Sequence, residues 1–165
     1  MTISLICAVS KNNIIGKNNA LPWHISDDLK FFKETTLNQT VILGRKNYES
    51  IGRPLHKRQN IILTRDPNYK AEGCLVVNSV REALNKAEHN VFIIGGAEIY
   101  KAFLPYATVF YRTTVLAEVE GDVFFPEYNV KEWKKEFWAE GKKSENNDYD
   151  FLIEKLTRSK QVEMF

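Results

Sequence analysis

Four short stretches of this chain hold residue types that could do chemistry together. The first is 21–36, LPWHISDDLKFFKETT, where two acids stand side by side. Pro22 is a poor helix-interior residue, so a helix is expected to begin after it, with Ser26 as N-cap. Asp27 and Asp28 then fall in the first turn, where acids suit the helix dipole. At about 100° per residue, Ile25, Leu29, Phe32 and Thr36 share one face. Asp27 turns away with Lys30 and Glu34, while Asp28 lies on the shoulder of the apolar face beside Phe32 and Thr35. Two readings of Asp28 are open at this point. It serves the helix dipole and nothing more, or it is a poorly solvated carboxylate with a raised pKa and a ligand to hold.

The other three stretches follow apolar runs. Thr40 to Leu43 ends at Gly44-Arg45-Lys46-Asn47, Asn60 to Leu63 ends at Thr64-Arg65, and Val91 to Ile94 ends at Gly95-Gly96. Free backbone N–H groups, glycine and cations where a strand gives way to a loop or helix suit a phosphate. Each cluster alone fits an ordinary loop equally well. Neither a G-x-G-x-x-G fingerprint nor a P-loop is present.

The elements that must position these residues alternate. Strands are expected at 3–9, 40–43, 60–63, 75–77 and 91–94, and the first is apolar enough to be buried on both faces. Helices are expected after Pro22, after Asn47 to Ile51, from the capping box at Ser79-Val80-Arg81-Glu82, and from Gly96 to Pro105. Residues 14–20 read as a long Gly/Asn-rich loop. Beyond Val109 the pattern turns to strands alone: 109–119, 123–125, 133–138 and 151–156, an antiparallel extension. From about Arg158 the chain reads as a loose polar tail. Strand–helix alternation predicts a largely parallel, helix-covered sheet, and in such sheets ligands bind at the carboxyl ends of strands. The three clusters coincide there, which points to a nucleotide-like ligand and to no particular reaction.

The totals exclude other classes. A chain of 165 residues is sized for one domain, expected over 1–158 with a tail at 159–165. A net charge of +2 gives no footprint for nucleic acid or a membrane surface. Cys7 lies in an apolar run and reads as a buried thiol. With no basic leader and no apolar stretch of about 20 residues, a cytoplasmic protein is expected.

Taken in order, Ile15-Gly16, Leu21-Pro22-Trp23, Asp28-Leu29-Lys30-Phe31-Phe32, Gly44-Arg45-Lys46, Glu49-Ser50-Ile51-Gly52-Arg53-Pro54-Leu55, Arg58-Gln59-Asn60, Ile94-Gly95-Gly96-Ala97 and Glu120-Gly121-Asp122 with Phe125-Pro126 resemble bacterial dihydrofolate reductase over nearly the whole chain. The resemblance implies an α/β fold with a central eight-stranded sheet, parallel apart from the C-terminal strand, and four flanking helices. It implies hydride transfer from NADPH to C6 of dihydrofolate with protonation at N5. Asp28 matches the acid that holds the pterin and assists that protonation, backed by Thr113, partly through water. Leu21 and Trp23 would end a mobile lid, with an ordered water on Trp23. Ile6, Cys7, Ala8, Leu29, Phe32, Ile51, Leu55, Ile94 and Tyr100 would line the substrate site. Arg58 would grip the glutamate α-carboxylate, which a guanidinium fork suits.

For the cofactor, the resemblance implies Ala8, Ile15, Gly16, Asn19 and Ala20 on one side. Gly44, Arg45, Lys46, Asn47, Leu63, Thr64, Arg65 and Ser79 would surround the phosphates. Gly95, Gly96, Ala97, Glu98, Ile99 and Tyr100 would lie near the nicotinamide and pyrophosphate, with a cis peptide between the glycines. No metal is implied. A monomer inhibited by diaminopyrimidines such as trimethoprim is implied as well. The chain departs from the family pattern at Asn47, where Thr or Ser is common, at Leu21, and at His56-Lys57. A related pyrimidine reductase of riboflavin synthesis would not need Asp28, Phe32 and Arg58 together, and an idle nucleotide binder could lose the acid or the loop.

Overall fold

The computed structural model describes residues 1–165. Apolar runs become strands: β1 (Ile3–Ser10), β3 (Thr40–Gly44), β4 (Gln59–Leu63), β5 (Leu75–Val77) and β6 (Val91–Ile93). The chain continues with β7 (Val109–Val115), β9 (Trp133–Gly141) and β10 (Phe151–Arg158). They form one eight-stranded sheet in the order β5-β4-β3-β6-β1-β7-β10-β9. Every pairing from β5 to β7 is parallel, and β10 runs antiparallel to both β7 and β9. This is the expected architecture. All five residues of β3 are buried, as in a central strand covered on both faces.

Four helices flank the sheet: α1 (Ser26–Thr36), α2 (Arg45–Ile51), α3 (Val80–Lys86) and α4 (Ala97–Phe103). None is long and apolar enough to cross a membrane. α3 forms where its capping box predicts, with the Ser79 hydroxyl accepting from the Glu82 N–H at 3.1 Å. The main core joins Leu5, Ile42, Ile61, Ile93, Phe103 and Phe110.

Four expectations need correction. The loop at 14–20 contains a short strand, β2 (Ile14–Gly16), paired antiparallel with β8 (Val123–Phe124) as a separate ribbon. The strand expected to reach Val119 stops at Val115, because the Leu116 N–H turns to the Asp150 carbonyl and Ala117 accepts from Lys11. α2 begins at Arg45, so Arg45 and Lys46 lie in its first turn instead of ahead of it. Arg158 is no part of a loose tail: it ends β10, and its guanidinium donates to the Leu104 and Ala107 carbonyls at 2.7 and 2.9 Å and pairs with Glu132. The tail itself is tied down, with Phe165 5.0 Å from the Tyr106 ring centroid.

Candidate active site

The two acids of α1 end in different surroundings. Asp27 is exposed and Asp28 half-buried. The Thr113 hydroxyl donates to Asp28 Oδ1 at 2.5 Å, a length typical of a bond to a charged acceptor, and it does so directly. Thr113 lies on β7 opposite Ala8 of β1, so the central sheet fixes its position. Burial pushes the Asp28 carboxyl above the ordinary carboxylate range, and the Thr113 bond pulls the other way. Ser26 is not the N-cap: it is the first helical residue, and Ile25 stands at the cap without a side-chain oxygen to offer.

Around this acid the structure gathers several of the apolar residues singled out in the sequence. Ile6 of β1 joins Val41 and Phe92, and Phe32 of α1, Leu55 and Ile94 pack against that cluster. Ala8 packs with Trp23 and Ile25 in a second cluster, and Cys7 and Tyr100 lie against the main core. The Tyr100 hydroxyl donates to the Ile6 carbonyl at 2.7 Å. Burial drives the Cys7 thiol up to about 12 and raises the Tyr100 phenol well above its usual value, so both are neutral near pH 7. Leu29 differs from the helical-wheel expectation: it is 47% exposed, and Leu21 and Ile51 are exposed too. α1 is a surface helix whose buried face is narrower than the wheel suggests.

Arg58 is held at the other end of α1. Its Nε donates to the His56 carbonyl at 2.9 Å and its Nη1 to Thr36 Oγ1 at 3.0 Å. Partial burial lowers its pKa, yet a guanidinium stays charged. Asn60, buried at the start of β4, fixes the turn before Arg58. It accepts from the Leu55 N–H and donates to the Leu55 and Arg58 carbonyls, each at 2.8–2.9 Å.

The strand ends converge as a parallel sheet requires. Gly44 is in register with Leu63, and Leu63 with Val77. Arg45, Thr64, Arg65 and Ser79 therefore emerge side by side, and Lys46 beside Arg45 is exposed. The Arg45 guanidinium sits over the Tyr69 ring at 5.7 Å. The Gly44 N–H donates to the Gly95 carbonyl at 2.9 Å, which brings the glycine pair to the same edge. The Gly95–Gly96 peptide is cis. Gly95 has φ +105° and faces the Tyr100 ring, where a Cβ would lie 3.0 Å from an edge carbon. A Cβ on Gly96 would meet nothing within 4 Å, so open space lies beside the pair. The donor set and this open cradle fit a phosphorylated dinucleotide. The Asn47 amide donates to the Ile94 carbonyl at 3.1 Å, and the Ser79 hydroxyl accepts as the cap of α3.

The 14–24 segment is pinned at several points. The Asp122 N–H donates to the Gly16 carbonyl at 3.1 Å, and Asp122 Oδ1 accepts from the Asn18 N–H at 3.3 Å. A Cβ on Gly121 would come within 2.6 Å of the Gly16 carbonyl, so this close approach requires glycine. The Ser50 hydroxyl of α2 donates to the Asn19 carbonyl at 2.8 Å. His24 and Asp148 exchange bonds, His24 N–H to Asp148 Oδ2 at 2.7 Å and Asp148 N–H to the His24 carbonyl at 2.9 Å. Asn60, Ser50, Asp148 and Asn147 are site-supporting residues that sequence reasoning missed. For Ser50, Asp148 and Asn147 the partners are brought close only by the fold, and nothing in local sequence signals that; Asn60 closes a local turn that its residue type alone does not announce.

A protein-family model described as dihydrofolate reductase matches residues 2–158. A dihydrofolate reductase of Staphylococcus haemolyticus is 47% identical over 155 residues, spanning 93% of each chain. One of Bacillus subtilis (strain 168) is 43% identical and spans 96% of this chain and 97% of its own. A solved structure of dihydrofolate reductase from Enterococcus faecalis, complexed with NADP(H) and RAB-propyl, superposes with a TM-score of 0.91 at 41% identity, over 96% of this chain and 97% of that one.

Proposed function

The chain belongs to the dihydrofolate reductase family of NADPH-dependent oxidoreductases, and from that premise we propose that it converts 7,8-dihydrofolate to 5,6,7,8-tetrahydrofolate, with hydride arriving at C6 and Asp28 assisting protonation at N5. The observation that carries the reading is the half-buried Asp28 carboxyl, raised in pKa by desolvation and held by the Thr113 hydroxyl. A two-oxygen acceptor in apolar surroundings is what the pterin ring N–H and 2-amino group call for, since a low local dielectric strengthens both bonds.

NADPH, when bound, supplies the hydride. The chain's own residues do the rest. Arg45, Lys46, Thr64, Arg65 and Ser79 hold phosphate oxygens at the ends of β3, β4 and β5, and that cationic cluster favours a 2′-phosphate over a bare ribose. Gly95 and Gly96 allow close approach beside Ala97, Glu98 and Ile99. Ile6, Cys7 and Ala8 on β1, with Ile94 and Tyr100, form the inner wall. Leu29 and Phe32 face Ile51 and Leu55 across the pterin and benzoyl rings, and Arg58 grips the glutamate α-carboxylate through its remaining N–H groups. Leu21 and Trp23, with Ile15, Gly16, Asn19 and Ala20, shield the reacting rings from water. Asp28 with a raised pKa keeps a proton to a higher pH than a solvated acid does, which suits proton delivery. Diaminopyrimidines present the same donor pair to Asp28 and compete with the pterin. We take the protein to work as a cytoplasmic monomer, with residues 1–158 as the catalytic unit.

A coupled assay tests this. NADPH oxidation should require added dihydrofolate and stop with a diaminopyrimidine inhibitor. Tight NADPH binding without dihydrofolate turnover would overturn the reading.

A further inference from the structure

We propose that Asn147, in the hairpin between β9 and β10, is a positioning residue for Asp28. The proposal rests on the reading of Asp28 given above. A helix leaves its first N–H groups without intrahelical partners, and a side-chain oxygen at the N-cap normally takes one of them. α1 has Ile25 there and no such cap. The hairpin supplies what Ile25 lacks. The Ser26 N–H donates to the Asn146 carbonyl at 2.9 Å, and the Asp27 N–H to Asn147 Oδ1 at 3.2 Å. Asn147 Nδ2 then donates back to Asp27 Oδ2 at 2.9 Å. Both ends of one amide are spent on the residue next to Asp28, and Asn147 is only 4% exposed.

A buried amide satisfied on both sides specifies geometry, because any shift leaves a donor or acceptor unpaired. The second anchor of the acid, Thr113, belongs to the same body: β10, which carries the hairpin, pairs with β7 at Ile153 and Thr113. Asn147 grips the backbone beside Asp28 while Thr113 grips its carboxyl. With the Asn147 side chain gone, the Asp27 N–H loses its partner while the Ser26 N–H keeps the Asn146 carbonyl, and the Asp28 carboxyl, still bonded to Thr113, sits on a first turn held at one point instead of two.

The experiment is steady-state kinetics of the full-length protein with NADPH and dihydrofolate. Asn147→Ala should raise the dihydrofolate KM about tenfold, the scale of a lost cap and its return bond, and leave the NADPH KM unchanged. Asn147→Asp should be worse, because two carboxylates then face each other. Adding Asp27→Asn to it should restore the dihydrofolate KM, since the exchanged pair keeps the bond from the residue 27 backbone N–H and reverses donor and acceptor in the side-chain bond alone. If Asn147→Ala does not fold, the Asn147→Asp variant with and without Asp27→Asn decides alone. A folded Asn147→Ala with a wild-type dihydrofolate KM overturns the proposal, as does a double variant no better than Asn147→Asp. Asp28→Asn, run in parallel, separates the two levels: full turnover there removes the functional reading itself, whereas a wild-type dihydrofolate KM in the Asn147 variants removes only this inference.

Discussion

The two halves of the sheet's carboxyl edge are built by opposite means. Around β1, β7 and α1, a half-buried acid is fixed by a 2.5 Å bond from Thr113, and Ile6, Phe32 and Ile94 pack in one apolar cluster. Around β3, β4 and β5, cations and hydroxyls stand near the surface, steadied by one ring under Arg45 and by local bonds to the Thr64 and Ser79 hydroxyls. The first half rests on partial burial and a direct hydrogen bond. The second concentrates charge by register alone, because parallel strands whose last residues pair finish together. A desolvated group changes its own chemistry, while exposed cations work through attraction that water and salt weaken. Removing one group should therefore cost far more in the first half than in the second.

The largest effect expected is for Asp28→Asn, with a fall in dihydrofolate turnover of roughly 10²- to 10⁴-fold near neutral pH, the range for a lost general acid. NADPH binding by fluorescence titration should be unchanged in that variant. Next is Arg58→Lys, which keeps the charge but loses the fork. A dihydrofolate KM raised roughly tenfold or more with kcat little changed is expected from steady-state assays. On the other half, Arg45→Ala or Arg65→Ala should raise the NADPH KM by only about tenfold, and high salt should shrink the difference between wild type and variant.

A stability measurement sharpens the comparison further. The pKa of Asp28 is higher in the folded protein than in the unfolded chain, so the folded state binds more protons between those two values. That contribution is present below the unfolded value and is lost as pH rises through the folded one. Denaturant titrations should show Asp28→Asn lacking this loss. The smallest effect concerns Cys7, which burial keeps as a thiol at neutral pH: thiol reagents should leave it unmodified in the native protein and modify it on unfolding.

Much of this was legible in the sequence because period and punctuation carried it. Unbroken apolar runs gave the parallel strands, and the Ser79 box gave α3. The separation of Asp27 from Asp28 followed from helical geometry alone. Where reading failed, tertiary contacts had replaced local ones. Ser26 looked like a cap, but the capping oxygens come from Asn146 and Asn147, some 120 residues away along the chain. Leu29 belongs to the apolar stripe by spacing, yet it stands exposed because nothing packs over that part of α1. The anchor of Asn47 was not legible either: its amide donates to the Ile94 carbonyl, a partner brought near only when β3 and β6 pair. The polar look of Arg158 hid a guanidinium that lies over the Trp133 ring and donates to the Leu104 and Ala107 carbonyls.

The most direct test of the central claim is the pH dependence of dihydrofolate-driven NADPH oxidation in wild type and Asp28→Asn. Wild-type kcat/KM for dihydrofolate should fall as pH rises through a group titrating above the ordinary carboxylate range, and the variant should be slow at neutral pH and lack that transition. The same transition at full rate in Asp28→Asn would contradict the account.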